Sequence, residues 1–171
     1  MILVDVNLLI FAANPELKEH AVVQPWLEAR IAGRERVGLA WTTILAFVRL
    51  QSNPRATSRP VAPIDAWTFL QREWLSQPNV WIPEPGESHA HILAALFSNW
   101  AKTSGRVTDA HLAAIAIEQG LTLCSADNGF ATIPGLQWVN PLRLNTLHER
   151  PRLPWLTPAK TGKPSSPKSR R

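Results

Sequence analysis

Cysteine occurs once in this chain, at Cys124, so neither an intramolecular disulfide nor a cysteine-built metal cage can form. The patterns HExxH, GxxxxGK[ST] and GxGxxG are missing, which removes the common zinc-protease and nucleotide-binding signatures. No apolar run is long enough to span a bilayer, and no secretory signal is visible at the N-terminus. The expected setting is therefore a reducing, cytoplasmic one with no membrane partner. No internal repeat is present. Two further gaps concern acids: none occurs between Glu35 and Asp65, and none after Glu149. The second gap changes how net charge is read. The whole chain carries +5, but Arg150, Arg152, Lys160, Lys163, Lys168, Arg170 and Arg171 carry +7, so residues 1–149 carry −2. The basic character belongs to a tail, suited to polyanions such as RNA or simply to solubility.

What is present fits one folded domain, with 171 residues, 45% hydrophobic and 18% charged. Periodicity predicts short strands near 2–6, 36–40, 80–82, 121–124 and 136–140. It predicts helices near 19–32, 41–52, 64–77, 88–103 and 107–118, with a shorter helical piece at 8–13. Residues 53–63 hold three prolines and read as a loop. After about residue 147 Pro, Lys, Arg and Ser dominate. The expected organisation is a folded domain over 1–147 and a basic, Pro-rich, disordered tail over 148–171. Strands alternating with helices predict an α/β domain with a mainly parallel sheet of about five short strands. In such sheets the ligand site lies beyond the carboxyl ends of the strands.

The stretch MILVDVNLL places Asp5 at the end of an apolar strand, where a charge is costly unless something compensates it. Only three other aspartates exist: Asp65, Asp109 and Asp127. Asp109 falls in the first turn of the alanine-rich helix VTDAHLAAIA, and Asp127 follows the fourth strand in LCSADNGF. Three carboxylates converging at strand ends would repel one another, and a hard divalent cation relieves that repulsion. Each also has a local explanation. Asp5 suits an Asx turn, Asp109 complements a helix dipole, and Asp127-Asn128-Gly129 is a turn signal. Asp65, just after Pro63, reads as a helix-start acid. Five histidines are present, but His89 and His91 lie two apart and do not share a helix face, so they suggest no zinc site. Ser125 has no partners that would make a nucleophilic triad. An aspartyl-phosphate phosphatase would want a second aspartate where Asn7 stands, and a signalling receiver an acid just before Asp5.

Taken together, DVNLLIFA, WTTILAFVRLQSNP, VTDAHLAAIA and LCSADNGFATIPGLQWVNP resemble the PIN-domain family, and more closely its VapC-like toxins, over about residues 1–145. The resemblance implies a three-layer α/β/α sandwich. It implies an endoribonuclease that hydrolyses RNA phosphodiesters with Mg2+ (or Mn2+), forms a homodimer, and is held inactive by a cognate antitoxin. By the same resemblance Asp5, Asp109 and Asp127 are the catalytic and metal-binding acids, with Asn7 and Ser125 in support and Phe130 as a packing aromatic. The family pattern also carries a glutamate on the helix over 41–52, and Phe47 stands in its place. With no acid nearby, the expected consequence is weaker metal binding. In the limit this is a scaffold that binds RNA or an antitoxin without turnover.

Overall fold

The computed structural model describes residues 1–144. The expected domain boundary at 147/148 and the basic tail lie outside the described residues. Five strands are present: β1 (Ile2–Val4), β2 (Val37–Gly38), β3 (Val80–Trp81), β4 (Thr122–Cys124) and β5 (Gln137–Val139). They form one sheet in the order β3-β2-β1-β4-β5, with every pairing parallel. Ile2 lies opposite both Val37 and Thr122, which fixes β1 as the central strand. A central parallel strand is covered on both faces, and all three of its residues are accordingly apolar and buried.

Alternation along β1 sorts the core into two halves. Ile2 and Val4 point to one face, where they pack with Leu8, Leu9, Val23 and Leu27. Leu3 points to the other, among Ala110, Ala113, Ala114 and Leu123. The first layer is built from α1 (Val6–Ala13), α2 (His20–Ile31), α3 (Trp41–Gln51) and α4 (Pro63–Leu70). The second is built from α5 (His89–Asn99) and α6 (Val107–Gln119). A last short helix, α7 (Pro141–Leu144), touches α2. The sheet between two helical layers is the expected α/β/α sandwich. The alanines of α6 are fully covered, and their small side chains let this helix lie close on the sheet. Gly120 ends it with a left-handed φ of 62°, a conformation that glycine adopts without a Cβ clash.

The structure departs from the sequence reading in three places. Val6 was expected in the first strand but opens α1, because Asp5 turns the chain there and caps the helix. The helix expected over 64–77 runs as α-helix only to Leu70. It then widens into a π turn, Gln71–Leu75, that brings Trp74 into the core. The helix expected to reach residue 103 stops at Asn99, and Ser104–Arg106 forms a separate 3-10 turn leading into α6. The strand order places the reversal of winding between β1 and β4. The crevice beyond their carboxyl ends is where such sheets bind ligands.

Candidate functional site

Asp5 sits at that crevice and caps α1. Its backbone is extended, and its Oδ1 accepts a 2.6 Å hydrogen bond from the Val6 N–H. Its own N–H donates to the Cys124 carbonyl at 3.0 Å, prolonging the β1–β4 pairing by one residue. Oδ2 accepts from Ser125 Oγ at 2.6 Å and from Asn7 Nδ2 at 2.8 Å. Ser125 directly follows β4 and is fully buried, and its hydroxyl is fully used. It donates to Asp5 and accepts from Asn7 Nδ2 at 2.9 Å and from the Asp127 N–H at 3.0 Å. Asn7 Oδ1 accepts from the Ala126 N–H at 3.2 Å, and Trp138 Nε1 donates to the Ser125 carbonyl at 3.1 Å. Asn7 and Ser125 thus tie the ends of β1 and β4 together around one carboxylate.

Asp5 is only 9% exposed, and burial pushes its carboxyl up to about 6. The hydrogen bonds from Ser125 and Val6 oppose that rise, while the charges of Asp109 and Asp127 add to it. Asp5 therefore feels the charge of both other sequence-predicted acids. Asp127 caps the 3-10 turn Asn128–Thr132, with Oδ1 accepting from the Gly129 N–H at 2.7 Å. Asp109 occupies the first turn of α6, and burial raises its carboxyl, with Arg106 opposing and Asp127 adding. The local readings of these acids are therefore true as local structure.

One residue of the site was absent from the sequence reading. Arg106 Nη1 donates to Asp127 Oδ2 at 2.9 Å and to Asp109 Oδ2 at 3.3 Å. Its guanidinium lies 5.1 Å from the centre of the Trp100 ring. Trp100 is itself fixed by donating from Nε1 to Thr132 Oγ1 at 2.9 Å and by stacking on Phe130 at 6.1 Å. The only sequence signal for Arg106 is its spacing of three before Asp109, a common helical ion-pair distance.

Phe47, where an acid was expected from the family pattern, is 1% exposed. It packs against Phe69 at 6.2 Å and Trp74 at 5.3 Å, so α3 presents an aromatic cluster at this position. The polar contribution of α3 is Thr43, whose hydroxyl donates to the Val4 carbonyl at 3.3 Å. A cleft of about 320 Å³ borders Phe47, Phe69 and Val61 but includes none of the aspartates Asp5, Asp109 and Asp127. His111 turns away from the acids and meets His89 across α5 and α6, with Nδ1 2.9 Å from His89 Nε2.

Asp5, Asp109 and Asp127 offer carboxylate oxygens, which suit a hard divalent cation over a soft one. Among the described residues, no three Asp, Glu, His or Cys side chains are grouped closely enough to enclose a metal ion as they stand. Two of the three acids already share a cation, the guanidinium of Arg106. That pair of carboxylates already takes a positive group, and by the chemistry of their oxygens the residues present fit in kind the metal that the family pattern implies.

No protein-family model matches the chain. Curated relatives do. Ribonuclease VapC37 of Mycobacterium tuberculosis is 36% identical over 141 residues, spanning 82% of this chain and 97% of the relative. Ribonuclease VapC43 of the same species is 37% identical over 142 residues, spanning 83% and 96%. Among solved structures, FitAcB from Neisseria gonorrhoeae superposes with a TM-score of 0.59 at 25% identity, covering 83% of this chain and 99% of that one. A toxin-antitoxin complex from Klebsiella pneumoniae gives a TM-score of 0.54 at 20% identity, covering 82% and 98%, a likeness of fold. A shared fold, with more than a third of residues identical along nearly the whole of a curated relative, places the chain in the VapC ribonuclease family.

Proposed function

We propose that this protein is the toxin of a type II toxin–antitoxin pair, an endoribonuclease that hydrolyses RNA phosphodiesters with the help of Mg2+ or Mn2+. The observation that carries the reading is the buried Asp5 carboxylate, oriented by Ser125 and Asn7 and charge-coupled to Asp109 and Asp127. Asp5, Asp109 and Asp127 are the residues that would hold the ion. Once bound, such an ion supplies Lewis-acid polarisation of a phosphodiester and activation of a water. The protein's own part is positioning. Ser125 and Asn7 leave Asp5 no rotational freedom, and the Gly129 N–H fixes Asp127 in the same way. Asp127 is either a direct ligand or the group that orients the attacking water.

The VapC name of its relatives supports RNA as substrate, and the Klebsiella pneumoniae complex supports an antitoxin partner. A homodimer and a cytoplasmic setting belong to the same reading. Among the described residues no helix is long and apolar enough to cross a membrane. The basic residues from Arg150 to Arg171 would add affinity for RNA.

The test is cleavage of RNA by purified full-length protein with Mg2+ or Mn2+, alongside growth after induced expression. Asp5→Asn is expected to abolish both cleavage and growth arrest, and EDTA to abolish cleavage. Cutting that survives Asp5→Asn and EDTA would sink the metal mechanism. The packing of Phe47 favours one rival reading, a scaffold that binds without turnover. That rival predicts RNA binding with no cutting at any metal concentration.

A further inference from the structure

Arg106 is held by more than its ion pairs. It comes from the 3-10 turn before α6, its guanidinium faces Trp100 at the end of α5, and it reaches Asp127 beyond β4. Its seat also lies against a glycine. A Cβ placed on Gly129 would overlap the Arg106 guanidinium, the flexible end of that side chain, which would have to shift. Gly129 does not have a left-handed φ, so backbone freedom does not account for glycine there. An exposed ion pair is worth little by itself. Here an aromatic face, a glycine seat and two carboxylates converge on one guanidinium, which marks a built position.

We propose that Arg106 is a tethered counter-cation, which holds Asp109 and Asp127 together in the metal-free protein and competes with the divalent ion for them. The inference rests on the metal reading of the site given above. A guanidinium and a divalent ion facing the same two carboxylates repel each other, so the two would compete for the pair. The released side chain keeps its tether three residues before Asp109 and returns when the ion departs. The protein would therefore bind its metal more weakly than its three aspartates alone would allow. In exchange it stays ordered without metal.

The experiment is calorimetric titration of the full-length protein with MnCl2 near neutral pH, together with thermal unfolding in EDTA. Wild type is compared with Arg106→Gln, which removes the charge, and Gly129→Ala, which fills the seat and keeps every charge. Both variants are expected to bind Mn2+ about tenfold more tightly than wild type. Arg106→Gln is expected to unfold at a lower temperature in EDTA and to gain more from Mn2+. Should Arg106→Gln fail to fold, Gly129→Ala decides by itself. Equal Mn2+ affinity in all three proteins overturns the counter-cation and leaves the metal reading standing. Absence of Mn2+ binding in all three overturns both.

Discussion

Two helices joined to the strands that flank β1 carry opposite chemistry. α3 follows β2 and brings Phe47, sealed among Phe69 and Trp74. α6 precedes β4 and brings Asp109, one of two carboxylates that share the single positive charge of Arg106. One of these helices is packed with aromatic carbon and contributes stability. The other is filled with charge, with the cation supplied by the chain.

The contrast breaks first under substitution of the charged side. Asp109→Asn is expected to lower metal-dependent RNA cleavage by about a thousandfold, with the unfolding midpoint in urea close to wild type. Phe47→Ala should do the reverse. Emptying an aromatic site in the core costs about 3–5 kcal/mol, read by urea denaturation, while cleavage per folded molecule stays within about threefold of wild type. If Phe47→Ala instead abolishes cutting in folded protein, α3 does more than pack. Ser125→Ala, which strips Asp5 of its shortest side-chain hydrogen bond, is expected to weaken Mn2+ binding by about ten- to a hundredfold in a calorimetric titration.

The smallest effect is that of pH. Folded Asp5 keeps its proton up to about pH 6, well above the usual carboxylate range. Between that range and pH 6 the folded chain binds more protons than the unfolded one. The metal-free protein therefore loses stability as pH rises from about 4 to about 6 and levels off above. Mn2+ must displace the same proton, so its affinity should be about tenfold higher at pH 7 than at pH 5. A flat profile across that window would show that Asp5 is already ionised at the lower pH.

The sequence made the fold legible because five apolar stretches alternate with helical periodicity. It made Asp5 legible because a carboxylate after three buried residues of β1 has few cheap explanations. Asn7 and Ser125 could be assigned through the resemblance, and the structure adds what they do, which is to share hydrogens with Asp5 and with each other. Arg106 was not legible, since one arginine before a helix has no pattern until Trp100, Gly129 and Asp127 are brought beside it in space. The π turn at Gln71–Leu75 was hidden for a related reason. Helical periodicity over 64–77 is the same whether the last turn is tight or wide, and only packing of Trp74 decides. Val6 was misplaced because its β-branched side chain favours strand, and the cap formed by the preceding residue overrode that preference.

The central position of β1 also sets a schedule for the newborn chain. Asp5 leaves the ribosome well before its partner Ser125, which comes 120 residues later. At about 5–20 residues per second, translation needs on the order of ten seconds to bring them together. A polypeptide cut short before Ser125 carries Asp5 without the hydroxyl that orients it.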